Sequence, residues 1–183
     1  MDLLELARAH IEAENLHDLP LTMNTVSGGG ADYRIYATGQ EFSSREAISD
    51  FYGEAYQAVP DMHVEIRNAI VDEARRQVFV EYRYSGTNRG SLQGLAPTNK
   101  PVLYDGAILY EFDESGKLTK EVTYFDKTDV LTSMGLIKNP NTKLGMFLLI
   151  FPQSPFYMLR TIFYNLFKKK KKTAETKGKA VSA

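Results

Sequence analysis

The 183-residue chain predicts an α+β fold, a cone-like half-barrel in which a curved, mainly antiparallel sheet carries helices on its concave side. Three observations predict it. Helical apolar spacing dominates residues 2–16 and 43–59. Four strand-like segments then follow one another between residues 63 and 126. A last short helical pattern closes this part of the chain near Gly135. A sheet half-closed in this way has an inner apolar face that can enclose a pocket.

Each element has its own signal. In "DLLELARAHIEAENL" (2–16), Leu3, Leu6, Ala9, Ile11 and Ala13 fall roughly on one helical stripe, and His10 with Glu14, four apart, reads as an exposed pair. "LHDLP" breaks this helix at Pro20, and a short second helix or turn follows. "SGGGAD" is a loop by composition, and "YRIYAT" (33–38) is β-like. "SSREAISDFYGEAYQAVPD" opens with a capping box, Ser43 with Glu46, continues on Ala47, Ile48, Phe51, Ala55 and Tyr56, and stops at Pro60. The strands are "HVEIRNAIVDE" (63–73), "QVFVEYRYSG" (77–86), "PVLYDGAILYEFD" (101–113) and "LTKEVTYFD" (118–126), the last two joined by the turn "DESGK". Val78, Val80, Tyr82 and Tyr84 share one strand face, and Tyr104, Ile108, Tyr110 and Phe112 share another.

Composition narrows the chemistry. There is no cysteine, so there is no disulfide frame, thiolate metal site or cysteine nucleophile. The three histidines, His10, His17 and His63, are too scattered for a His-rich metal motif, and neither a metal nor a cofactor is expected. The N-terminus lacks a basic region followed by an apolar one, so no secretory signal is visible, and the expected location is cytoplasmic. A formal charge of −1 hides a split: residues 1–137 hold 12 basic against 22 acidic residues, a net of −10, and residues 138–183 hold 10 against one, a net of +9. The acidic body argues against a nucleic-acid partner.

"SGTNRGSLQGLAPTNKPV" (85–102), with Gly86, Gly90 and Gly94 four apart, invites a phosphate-binding reading. It fails on two grounds. No lysine follows the last glycine and no helix follows the loop, and G-x-G-x-x-G spacing is absent. A flexible linker is also a poor fit, because the stretch joins two β-patterned segments.

Taken in order, four pieces resemble the SnoaL-like polyketide cyclases of the nuclear-transport-factor-2-like superfamily, over roughly residues 3–137. "SSREAISDFY" is similar to the family's G-r-e-A-i-x-x-f helix, and "VPDMHVEI" to its f-P-D-x-x-v-x-v strand entry. "SGTNRGSLQGLAPTNKPV" is similar to G-T-H-x-G-x-x-x-G-x-x-P-T-G-x-x-v, and "GKLTKEVTYFDKTDVLTSMG" to G-k-i-x-e-x-w-x-x-x-D-x-x-x-l-x-x-x-G. The resemblance implies that the glycine-rich stretch is a crossover at the cavity rim, where glycine permits sharp bends and close approach. It implies a homodimer, which the aromatic-rich sheet faces also suggest. It implies an acid/base role for Asp126 in aldol-type ring closure, although an aspartate at a strand–helix junction is equally a favoured N-cap. The sequence departs from the pattern at Asn88, where the family often has histidine, at Asn99 in place of glycine, and at Val122 in place of tryptophan. Asn88, Tyr82, Tyr84, Tyr104, Tyr110, Val122 and Tyr124 are the candidate binding residues for a small apolar ligand. The tyrosines equally suit a core or an interface. Asp105 is a second carboxylate or solvent-facing, and Arg83 reads as part of an outer-face ladder.

The chain divides by composition into a cavity domain (1–137), an apolar and polybasic tail (138–172) and a disordered terminus (173–183). Residues 144–167 are mostly apolar but broken by "PQSP", Arg160 and Asn165, and Lys168, Lys169, Lys170, Lys171 and Lys172 follow. Each apolar half is too short to span a bilayer, so the tail reads as a peripheral anchor on the cytosolic, anionic face of a membrane, or else as a packing or dimer element. Three functions follow: a metal-free cyclase or isomerase on an apolar carbonyl compound, a non-catalytic ligand-binding module of the same fold held at a membrane, or a dimerising adaptor with a vestigial cavity.

Overall fold

A computed structural model of the protein describes residues 2–92, 94, 96–152, 155, 157, 159, 160, 162 and 163. The chain divides into two compact units, Met1–Leu136 and Ile137–Ala183. In the first, helix α1 spans Leu3–Asn15 and α2 spans Leu19–Thr25. Asp2 and Asp18 cap them by accepting hydrogen bonds from the backbone N–H of Leu4 and Leu21, both at 2.9 Å. Pro20 therefore sits in the first turn of α2, where its missing N–H costs nothing; α1 has already ended at Asn15, with His17 at φ +54°, so the expectation that Pro20 breaks it is corrected.

Strands β1 (Asp32–Ile35), β2 (Gln40–Phe42), β3 (His63–Asp72), β4 (Gln77–Thr87), β5 (Pro101–Phe112) and β6 (Leu118–Phe125) form one sheet in the order β2-β1-β6-β5-β4-β3. All neighbours are antiparallel except β1 and β6, which run parallel. "YRIYAT" is thus not one strand: the chain turns at residues 36–39 and β2 returns against β1. Helix α3 (Arg45–Ala58) is capped by Ser44, which accepts from Ala47 N–H, so the expected Ser43–Glu46 box is corrected by one residue. Helix α4 (Lys127–Ser133) ends in a Schellman arrangement: Leu136 N–H donates to Leu131 carbonyl, Gly135 N–H donates to Thr132 carbonyl, and Gly135 adopts φ +71°.

The core lies between the helices and the concave sheet face. Leu3, Ala7 and Ile11 of α1 pack with Ile48 of α3 and with Val78, Val80, Ile108 and Phe112 of the sheet. Burial of this kind is the main favourable contribution to such a fold. Two glycines of the 85–102 stretch are required by close packing against the end of α3. A Cβ on Gly86 would strike Val59, and one on Gly90 would strike the carbonyl oxygen of Gln57 and approach Ala58 Cα to 2.9 Å. Asn88, fully buried, pins the same loop: its amide N–H donates to Gly90 carbonyl at 2.9 Å, and its Oδ1 accepts from Thr98 N–H at 2.8 Å.

In the second unit, α5 (Lys143–Ile150) is capped by Thr142, whose Oγ1 accepts from Gly145 N–H at 3.0 Å. Among the described residues no helix is long and apolar enough to cross a membrane. Lys168–Lys172 and residues 173–183 lie outside the described residues.

Because the obstacle at Gly90 is backbone, it cannot rotate away. Gly90→Ala is expected to cost about 1–3 kcal/mol, by analogy with overpacked sites. Urea unfolding checks this: a lower midpoint is expected, and an unchanged midpoint would show that the loop does not depend on this contact.

Candidate active site

Helix α1 keeps one stripe against the sheet, and Leu3, Ala7, His10, Ile11 and Glu14 fall on it at helical spacing. His10 and Glu14 are therefore buried, which corrects the reading of them as an exposed pair. β6 supplies a second carboxylate. A register irregularity opposite Glu111 and Phe112 adds a residue to β6 between Leu118 and Lys120. Alternation resets there, so Glu121, Thr123 and Phe125 come to the concave face beside Tyr110, Ile108 and Gly106 of β5. Tyr52 of α3 and Tyr33 of β1 complete the cluster.

The hydrogen-bond network assigns the protons. Thr25 Oγ–H donates to Thr22 carbonyl at 2.6 Å, so its oxygen accepts at 2.5 Å from His10 Nδ1–H. On the other side of the ring, Nε2 lies 3.1 Å from Glu14 Oε1 and 3.3 Å from Glu121 Oε2. Tyr52 O–H donates to Glu14 at 2.6 Å, and Tyr33 O–H, 3.2 Å from the Tyr52 oxygen, donates to it. The groups around Nε2 are acceptors, so Nε2 carries a proton and His10 is an imidazolium. Burial alone would push the His10 pKa down. The hydrogen bonds and charges of Glu121 and Glu14 overcome it and raise it to about 10. One positive charge faces two carboxylates, which leaves the cluster with a negative charge in excess.

Glu14, Glu121 and Tyr52 open onto a cavity of about 420 Å³, a volume suited to a small organic molecule. The remaining wall is mostly apolar, with Phe51, Val59, Ile108, Phe125 and Met134 among its residues. Tyr82, Tyr84 and Tyr104 line it as well, with Tyr84 and Tyr104 stacked at 4.8 Å. Burial pushes the pKa values of all three up, so each remains a neutral hydroxyl able to donate. Lys127 stands at the cavity lining too.

The other expected residues lie elsewhere. Asp126 is exposed and its carboxylate caps α4, accepting from Thr128 N–H at 2.7 Å. The expectation that it faces the cavity is corrected, because the reset in β6 turns Val122, Tyr124 and Asp126 away from the concave face. Val122 is buried between Arg34 and Leu109 in the sheet. Tyr124 is exposed and stacks on Tyr36 at 4.9 Å. Asn88 belongs to the loop staple described above and does not line the cavity. Tyr110 is buried edge-on to His10 at 5.6 Å, and among the described residues its hydroxyl finds no hydrogen-bond partner. Asp105 forms a two-pronged pair with Arg83 at 2.7 and 2.8 Å, as an outer-face ladder would.

Ligand atoms of His10, Glu14 and Glu121 all lie within 4.8 Å of one another, the donor set of a divalent-cation site. A metal would require Nε2 to surrender its proton, and the distances to that nitrogen are those of hydrogen bonds.

The His10 charge ties stability to pH. A folded-state pKa raised from 6.5 to about 10 gives stability that is fully present below pH 6.5 and lost as pH rises through about 10. Melting temperatures measured across that interval are expected to fall by several degrees. His10→Gln should melt lower near neutral pH and change little across the interval. A wild-type profile as flat as the variant's would refute the buried charge.

A sequence model of the SnoaL-like polyketide cyclases matches residues 4–134. No curated protein sequence matches significantly. Among solved structures, a candidate SnoaL-like polyketide cyclase from Jannaschia sp. CCS1 is 18% identical with a TM-score of 0.64, covering 72% of this chain and 90% of that one. IdmH, a candidate polyketide cyclase from Streptomyces antibioticus, is 17% identical with a TM-score of 0.62, covering 74% and 99%. A protein of ketosteroid isomerase-like fold from Catenulispora acidiphila, in complex with trimethylamine, is 21% identical with a TM-score of 0.60, covering 72% and 92%. These likenesses are of fold, and with the sequence match over 4–134 they lead to one conclusion: the chain belongs to the SnoaL-like polyketide cyclase family.

Proposed function

We propose that the protein is an acid–base catalyst of the cyclase or isomerase type acting on a small apolar carbonyl compound, with Glu121 as the base. The observation that carries this reading is a pair of carboxylates, anchored by the buried His10 ring, opening onto a mostly apolar cavity. Glu14 is the more heavily engaged of the two, accepting from Tyr52 at 2.6 Å and from His10 at 3.1 Å. Glu121 has longer contacts, 3.3 Å to each of Tyr52, His10 and Thr123, and so has more lone-pair capacity left for a substrate proton.

In this mechanism Glu121 takes a proton from the carbon next to a carbonyl group. A neutral tyrosine hydroxyl of the lining donates a hydrogen bond to the carbonyl oxygen as negative charge develops there. The carbanion attacks a second carbonyl carbon of the same molecule, a carbon–carbon bond forms, and the new alkoxide recovers the proton from Glu121. In an isomerisation the proton returns to a different carbon. His10 does not line the cavity; it positions the two carboxylates and keeps their charge partly balanced throughout.

Deuterium wash-in at the α-carbon of small apolar ketones and diketones, followed by NMR in D₂O, tests this. Glu121→Gln is expected to slow exchange by at least about 10²-fold, the usual size of a general-base contribution. Asp126→Asn is expected to exchange like wild type, because that carboxylate caps α4. Loss of exchange in Asp126→Asn alone would move the base to Asp126. Ketone binding without exchange in wild type would leave a binding module.

A further inference from the structure

Outside the cavity, the feature that the catalytic reading does not use is the second unit. Helix α5 leaves Leu144, Met146, Leu148 and Leu149 exposed, and its C-cap residue Phe151 is exposed too. A globular domain rarely displays such a run of large apolar side chains without a surface to cover it. Beyond Pro152, residues 155, 157, 159, 160, 162 and 163 are helical, and Tyr157, Leu159, Ile162 and Phe163 are exposed as well. Five consecutive lysines, Lys168–Lys172, come next in the sequence.

Charge and length select the occupant. Residues 138–183 carry a net charge of +9, a poor match for a second copy of the same basic segment. A nucleic acid would satisfy the lysines but not the apolar side chains. An anionic lipid surface satisfies both, with acyl chains for the leucines and phenylalanines and headgroups for the lysines. The eight residues of α5 are about 12 Å long, far short of the roughly 30 Å hydrocarbon core. Pro152 and Pro155 prevent one continuous helix across 144–163. Arg160, exposed among the apolar residues, can extend its charge to the headgroup level.

We infer that residues 143–172 bind the protein peripherally to an anionic lipid surface, lying in the headgroup region without crossing the bilayer. The body, at a net charge of −10, is repelled by the same surface. This inference does not depend on the catalytic reading.

Flotation of the full-length protein tests it, using phosphatidylcholine vesicles with and without phosphatidylserine. Wild type should float with the anionic vesicles and be released in part by high salt. Replacing Lys168–Lys172 with glutamine should lower the partition coefficient by up to nearly four orders of magnitude, at about 1 kcal/mol per lysine. The double variant Leu148→Asp, Phe163→Asp should lose flotation while keeping wild-type circular dichroism. Wild type that stays in solution with both vesicle types, as monomer or as a larger assembly, overturns the inference. Equal flotation on phosphatidylcholine alone overturns its anionic part.

Discussion

Two carboxylates and an imidazole leave water together when this chain folds, and their mutual pairing governs much of the rest. Each charge alone would cost several kcal/mol to bury. Together, Glu14, Glu121 and His10 meet within hydrogen-bond distance, with Tyr52, Tyr33 and Thr25 filling the remaining donor and acceptor positions. Those groups come from α1, α2, α3, β1 and β6, so the cluster constrains the register of nearly every element on the concave side. Helix α1 must turn its 10 and 14 positions inward, and β6 must carry its extra residue so that Glu121 follows. Replacing a buried ion cluster of this kind with hydrocarbon is often neutral or stabilising. What the charged version adds is a carboxylate at the wall of a mostly apolar cavity.

Apolar surroundings give that carboxylate its chemical use. Tyrosine hydroxyls held neutral by burial can supply hydrogen bonds without adding charge, and Phe51, Phe125 and the aliphatic residues make most of the wall apolar, as the proposed apolar substrate requires. In the proposed mechanism this site moves a proton between carbon and oxygen. The lipid surface inferred for the second unit is also where apolar compounds concentrate, which makes the two readings compatible although neither requires the other.

Much of the fold was legible in the sequence because long, strongly periodic elements announce themselves. Strands β3–β6 fall within a residue or two of their expected bounds, and Gly86 and Gly90 act where close approach was expected. The site was harder to see. The family resemblance set Asp126 toward the cavity, which put Val122 and Tyr124 on the cavity face and hid Glu121, whereas the extra residue in β6 after Leu118 sets the opposite alternation. His10 and Glu14 carried a usable signal, since they continue the stripe of Leu3, Ala7 and Ile11. Charged residues at helical spacing are usually solvent-exposed, and only the pairing with a distant strand reverses that expectation. Tyr82, Tyr84 and Tyr104 reach the cavity wall by simple alternation, because no bulge separates them from their strand partners.

The charge state of His10 is the point on which the account turns. Nitrogen-15 NMR of the histidine side chains, with His10 assigned by comparison with a His10→Gln variant, reads it directly. At pH 8.5 two protonated ring nitrogens are expected on His10. A bare ring nitrogen on His10 at that pH, with titration near the ordinary histidine value of 6.5, would contradict it.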